Sequence, residues 1–231
     1  MAVGRLSTPR AILLDALGTL LELQPPGPAL RRELEDRFGL LIDEAVAERA
    51  IAAEIAYYRL HHREGRDRES LADLRRRCAE VLGRALGGPA VAAHELEQAM
   101  LAALRFAPFP EVPGALDALR LASARLVVVS NWDCSLPDAL DAAGLGARVD
   151  ATVTSAQAGV AKPQPAIFRV ALRAAGVPAG AAVHVGDSPR EDVDGARAAG
   201  IEPILLVRSG RGAPGGVRSI RSLDELVELA A

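Results

Sequence analysis

Lysine is almost absent from this chain: of its 27 basic residues, 26 are arginine and one, Lys162, is lysine. A chain so biased keeps a lysine where arginine's wide planar fork cannot replace a compact ammonium. Lys162 is therefore a candidate site residue on composition alone. Cysteine is nearly as scarce. Cys78 and Cys134 have no CxxC spacing and no neighbouring ligand pattern, so both read as inert packing residues. Long apolar runs are missing too: none approaches a membrane-spanning helix, and the N-terminal residues lack a signal-peptide core. A net charge of −3 leaves no electrostatic footprint for nucleic acid. Neither a membrane nor a nucleic-acid partner is expected, and the expected location is a reducing cytoplasm.

What is present is a rhythm of short β-branched runs and amphipathic stretches. "AILLD" (11–15), "RLVVVS" (125–130), "ATVTS" (151–155), "AAVHVGD" (181–187) and "EPILLVR" (202–208) read as strands. Their nearly continuous apolar character fits strands buried on both faces, hence a parallel sheet covered by helices and joined by right-handed crossovers. Helices are expected to start near Pro113, Ser135, Pro163 and Pro189, and a short one after Ser222 closes the chain. "RSGRGAPGGVRS" (208–219) reads as a loop.

Between the first and second of these strands the pattern is helical. Periodicity predicts helices over Pro28–Phe38, Asp43–Glu64, Ser70–Leu86 and Val91–Arg105, with Ser70 as an N-cap and Asp73 in the capping-box position. This is a helical insertion into an α/β domain, and the proline-rich "FAPFPEVPG" (106–114) returns the chain to it.

Open α/β sheets bind ligands beyond the carboxyl ends of their strands. Asp15, Ser130 and Asp187 each stand at such an end, and Lys162 follows a strand just ahead of a helix. Singly, each has a plain alternative: an Asx-turn acid, a helix cap, a turn residue, a solvated lysine. Jointly they converge on one crevice.

"LLDALGTL", "VVVSN", "KPQPAIF" and "VGDSPREDVDGARAAG" resemble the four ordered motifs of the haloacid dehalogenase-like hydrolase superfamily, in the group with a helical cap after the first motif. The resemblance implies a doubly wound, Rossmann-like α/β core over residues 1–22 and 106–231, with a cap over 23–105. It implies that Asp15 is the nucleophile, that Ser130 and Lys162 hold the transferring group, and that Asp187 and Asp192 help seat Mg²⁺. Asp15 and a backbone carbonyl near Leu17 would complete the protein's share of the metal shell. Gly18 permits close backbone approach, turn amides cradle phosphate oxygens, and Thr19 either orients Asp15 or caps a helix. The implied substrate is a small phosphorylated metabolite, and the expected assembly is a monomer or homodimer.

One position departs from the pattern. Phosphatases of the family carry a second aspartate two residues after the nucleophile, as general acid and base; here Leu17 stands there, and leucine moves no proton. Dehalogenases of the family, which use no metal, carry a tyrosine there and have a fourth motif poorer in acids. Phosphonoacetaldehyde hydrolases need a cap lysine, which this chain lacks. Three readings follow: a Mg²⁺-dependent phosphohydrolase of altered mechanism, a phosphate- or partner-binding protein with little turnover, and a 2-haloacid dehalogenase-type hydrolase. In the first, His61 or His62 of "AYYRLHHRE" supplies the missing proton, each sharing a helix face with Tyr57 or Tyr58; alternatively the tyrosines pack and the histidines are solvated. Asn131 and Trp132 follow Ser130 and are candidates for substrate contact, Trp132 by stacking or else covering the sheet edge. His184 reads as a core histidine, and Arg190 and Arg208 as solvated or as reaching an anionic substrate.

Overall fold

A computed structural model describes residues 9–122, 124–208 and 216–230. The chain divides into two compact units, Met1–Glu22 with Pro108–Ala231, and Leu23–Ala107. Elements are numbered in chain order. The first unit opens with β1 (Ala11–Leu14), and β2 (Leu21–Leu23) leads out of it. The second contains α1 (Pro26–Phe38), α2 (Glu44–His61), α3 (Arg68–Ala85) and α4 (Ala93–Ala103). The chain returns through β3 (Phe106–Pro108), which pairs with β2. There follow α5 (Val112–Leu121), β4 (Arg125–Ser130), α6 (Leu136–Ala142), β5 (Ala151–Thr154), α7 (Ser155–Ala158) and α8 (Pro165–Ala175). The chain closes with β6 (Ala182–Gly186), α9 (Gly195–Ala198), β7 (Glu202–Leu206), β8 (Arg218–Ile220) and α10 (Leu223–Ala230).

The main sheet is parallel, in the order β5-β4-β1-β6-β7-β8. From β1 the chain fills one side with β4 and β5, then crosses back to build β6, β7 and β8 on the other, the doubly wound arrangement expected. β1 lies at the centre, with Leu14 level with Val128 of β4 and Val185 of β6. Its four residues have no exposed surface, because helices cover both faces. On one face Ala11, Leu13, Val127 and Val129 pack against Ile167, Phe168, Ala171 and Leu172, the apolar stripe of α8. Pro165 sits in the first turn of that helix, and Gly176 ends it with φ 69°.

The expected strands form within two residues of their predicted bounds. β2, β3 and β8 were not foreseen. Each has only three residues, too few for a period to show, and each exists because a neighbouring strand supplies its hydrogen bonds. β8 corrects the loop reading of 208–219: Ile220 pairs with Leu206, while 209–215 lie outside the described residues. The helix expected at Pro189 begins as a π-helical turn, Pro189–Asp194, running into α9.

The four helices of the second unit enclose a core that includes Leu30, Leu34, Ile51, Leu74, Leu82, Leu96 and Met100. Cys78 belongs to it, as packing predicted. α3 starts earlier than expected, and the cap is Asp67: its carboxylate accepts from the Ser70 N–H at 2.9 Å, and Ser70 Oγ accepts from the Asp67 N–H at 3.1 Å. Aspartate and serine thus exchange the usual capping-box roles, while Asp73 pairs with Arg76 and Arg77 on the helix surface. Among the described residues, no helix is long and apolar enough to cross a membrane.

One acid sits inside this core. Glu54, one turn after Ala50 on the buried face of α2, is 3% exposed. Burial pushes its carboxyl above the ordinary 4.5, partly offset by a hydrogen bond with Cys78. The folded unit therefore holds this proton more tightly than the unfolded chain does. The associated stability is fully present below the unfolded value and is lost as pH rises through the raised one. Glu54→Gln, which carries no charge at any pH, is expected to be more stable than wild type by about 1 kcal/mol at neutral pH. The advantage should vanish in acid, and thermal melts across pH measure it.

Candidate active site

The three central strands deliver their carboxyl ends side by side. Asp15 follows β1, Ser130 ends β4 and Asp187 follows β6. The Asp15 N–H donates to the Val185 carbonyl at 2.9 Å, which continues the ladder one step and fixes the acid's backbone. Lys162, 4% exposed, donates from Nζ to Asp15 Oδ1 at 2.5 Å and to Asp192 Oδ1 at 2.6 Å. Ser130 Oγ–H donates to the same Asp15 oxygen at 3.2 Å. One carboxylate oxygen from each of Asp15, Asp187 and Asp192 lies within 4.8 Å of the others.

Three carboxylates thus face one ammonium. Burial raises the Asp15 carboxyl to about 6; Lys162 opposes the rise, and the charges of Asp192 and Asp187 add to it. Burial and Asp192 likewise raise Asp187. Burial acts against the charge on Asp192 too, but the Lys162 ammonium and the His184 hydrogen bond hold that carboxyl well below the usual range. Against its own desolvation, Lys162 is held charged above its ordinary value by Asp15 and Asp192. The excess negative charge on hard oxygen ligands is what a divalent cation such as Mg²⁺ would compensate, so the donor set fits one. Asp15, Asp187 and Asp192 are the acids that could hold it, and Asp187 is the exposed one of the three. Asp192 belongs to the cluster and also holds the lysine: its Oδ1 accepts from Lys162 and His184, and its Oδ2 accepts from the Ser188 N–H.

Several supports were not anticipated. Asn131, expected to face a substrate, instead grips the main chain of Lys162: its Oδ1 accepts from the Lys162 N–H at 2.8 Å, and its Nδ2–H₂ donates to the Lys162 carbonyl and to Glu191. A side chain with both ends engaged positions the lysine rather than a ligand. His184 is a core histidine, packed edge-on against Phe168, and also a site residue: its Nε2–H donates to Asp192 at 2.9 Å. Because a carboxylate only accepts, Nε2 carries a proton, and Nδ1 is buried with no hydrogen-bond partner among the described residues. Gly186 has no side chain because Asp192 fills the space; a Cβ there would lie 2.2 Å from its carboxyl carbon. The strand alternation around His184 and the acid spacing after Gly186 were the available signals, but neither reveals which side chains meet.

The turn after Asp15 differs from expectation. Gly18 has φ 85° and lies so close to Asp187 that a Cβ would come within 2.2 Å of its carboxylate oxygen, so the close approach is to a protein acid. The Gly18 and Thr19 amides, expected to cradle a phosphate, donate to the carbonyls of Leu21 and Ala16. Thr19 Oγ1 is buried without a hydrogen-bond partner among the described residues, so Thr19 does not orient Asp15; Ser130 and Lys162 do. Leu17 exposes 37% of its surface. Trp132 is buried, its backbone N–H and C=O both bonded to the Ser155 hydroxyl. Arg208 is engaged with the protein's own groups, not solvated.

His61 and His62 lie in the second unit. The His61 ring stacks on Tyr57 at 4.2 Å and its Nδ1–H donates to Glu64 at 2.8 Å. His62 is buried rather than solvated, with Nδ1–H donating to the Arg59 carbonyl at 2.9 Å.

The chain is similar to other proteins. A phosphoserine phosphatase of Thermus thermophilus is 36% identical over 124 residues, which cover 53% of this chain and 50% of that protein. The chain spans about half the length of the curated relatives it matches, or less. Among solved structures, a HAD phosphatase from Thermococcus onnurineus superposes with a TM-score of 0.66 at 25% identity, covering 95% of this chain and 97% of that one. A 2-haloacid dehalogenase from Pseudomonas syringae pv. Tomato DC3000 gives 0.64 at 26%, with the same coverage. The haloacid dehalogenase-like hydrolase family description matches residues 9–200, from the start of β1 through the acid-bearing turn after β6, and the chain belongs to that family.

Proposed function

We propose that this hydrolase is a Mg²⁺-dependent phosphohydrolase of small phosphorylated metabolites, with Asp15 as its nucleophile. The observation that carries this reading is the pairing of three clustered acids with one buried lysine at the carboxyl ends of the central strands. A dehalogenase acting on a monoanionic haloacid has no use for a cation site, whereas a phosphoryl group does.

Ser130 and Lys162 both bond Asp15 Oδ1, which leaves Oδ2 to attack phosphorus. The bond from phosphorus to the ester oxygen breaks, the alcohol leaves with a proton taken from solvent, and an aspartyl phosphate remains on Asp15. Water then attacks that phosphorus, inorganic phosphate departs, and the carboxylate is restored. Lys162 stays charged throughout and offsets charge on the transferring oxygens. Asp15, Asp187, Asp192 and the Leu17 carbonyl are the groups that would hold Mg²⁺, which when bound would supply screening between the carboxylate and the phosphoryl oxygens. With leucine at position 17, departure of the alcohol depends on its own acidity.

A substrate panel tests this. Phosphate release from p-nitrophenyl phosphate and O-phosphoserine, present with Mg²⁺ and lost in EDTA, is the expected result. The aryl ester should turn over faster, because its leaving group needs no proton. Halide release from 2-chloropropionate in EDTA, without phosphate release in Mg²⁺, would make the chain a dehalogenase. Silence in every arm would favour a binding protein.

A further inference from the structure

Arg208 leaves the end of β7 and brings together two segments far from it in sequence. Its Nη2–H donates to the Thr19 carbonyl at 2.7 Å and its Nε–H to the Gly18 carbonyl at 3.2 Å. On the other side Nη1–H donates to Glu111 Oε1 at 2.6 Å, and the guanidinium carbon lies 3.5 Å from the centre of the Phe109 ring. Phe109 is itself joined to the same turn, through its N–H and the Leu20 carbonyl at 3.2 Å. The guanidinium therefore sits between the turn that follows Asp15 and the segment by which the chain re-enters the first unit. Only a planar fork of donors satisfies two carbonyls, a carboxylate and a ring face together; an ammonium is a point charge with nothing to stack.

The turn needs such an anchor. Its internal hydrogen bonds run from the Gly18, Thr19, Leu20 and Leu21 amides to the carbonyls of Leu21 and Ala16, which shape it but do not locate it against the sheet. Gly18 must also lie against the Asp187 carboxylate with no room for a side chain.

We propose that Arg208 is a positioning residue: by holding the Gly18 and Thr19 carbonyls against Glu111 and Phe109, it sets where the Leu17–Gly18 backbone stands relative to Asp15 and Asp187. The expectation for turnover rests on the reading of Asp15 as nucleophile; the expectation for backbone order does not.

The test compares Arg208→Ala, Arg208→Lys and Glu111→Gln by amide hydrogen exchange of the metal-free protein and by kinetics on p-nitrophenyl phosphate with Mg²⁺. Exchange at Gly18, Leu20 and Leu21 should accelerate about 10-fold or more in Arg208→Ala, with β4 and β6 unchanged. Displacement of this backbone should lower kcat about 10²-fold with KM nearly constant. Arg208→Lys should restore neither, and Glu111→Gln, which keeps the fork, should show the same changes in smaller degree. Unchanged exchange in the turn, equal acceleration throughout the unit, or recovery by lysine would overturn the proposal. So would a loosened turn with wild-type kcat. If wild type releases no phosphate, the functional reading fails by itself, and the exchange data decide the clamp alone.

Discussion

Asp15→Asn is expected to lower phosphate-ester turnover by about 10⁴-fold or more, the scale on which removing a nucleophile acts. The same substitution should leave the unfolding temperature unchanged or higher. Asp15 is 6% exposed, and burial lifts its carboxyl from 3.8 to about 6, so the folded protein holds an ionised acid at neutral pH against its preference. Asparagine removes that charge while its Oδ1 still accepts from Lys162 and Ser130. Asp192 continues to neutralise the lysine. Loss of activity with loss of stability would indicate a damaged site, whereas loss of activity with retained stability assigns the chemistry to the carboxylate. Turnover of p-nitrophenyl phosphate and a thermal melt of the same preparation measure both. An Asp15→Asn protein that keeps even a tenth of wild-type turnover would remove Asp15 from the mechanism.

Leu17→Asp is the largest expected gain. General acid and base catalysis contributes about 10²–10⁴-fold where a leaving group needs a proton. The position lies two residues after Asp15, and its side chain is already more than a third exposed, so a carboxyl there enters water rather than a core. Alkyl phosphates such as O-phosphoserine should gain most and p-nitrophenyl phosphate least. That gradient separates proton transfer from improved metal binding, which would help both substrates alike. Equal gains on the two esters would place the new acid in the metal shell, and no gain on either would show that proton supply does not limit this enzyme.

Much of the architecture is legible in the sequence. β1, β4, β5, β6 and β7 are continuous apolar runs, and such runs mark strands buried on both faces whatever surrounds them. Alternation with helices then requires a parallel sheet, and a parallel sheet presents its carboxyl ends at one edge. Asp15, Ser130 and Asp187 could therefore be placed together from spacing alone. Lys162 was visible for a different reason: a lone lysine among arginines marks a place where ammonium geometry is needed, and the structure puts it between Asp15 and Asp192.

Side-chain partnerships were not legible, because they depend on contacts between residues far apart in the chain. Asn131 looks like a ligand-facing amide until both its ends are found on Lys162 and Glu191. His184 reads as core from its alternation, which is true, yet alternation does not show that Asp192 lies across from it. Arg208 is 190 residues from Gly18, and no local pattern links them. The amides of Gly18 and Thr19 point the other way: a turn after Asp15 promised amides for a ligand, and the folded turn bonds these two to its own carbonyls.

Strand order along the chain, the helical insertion and the acids at strand ends follow from local periodicity, which every short segment carries within itself. Which acids share the lysine, which histidine supports them and which arginine anchors the turn follow only from packing, because these contacts join residues far apart in the chain. Asp192 accepts from Lys162, His184 and the Ser188 amide, and Asp15 from Lys162 and Ser130, partners that no local pattern assigns.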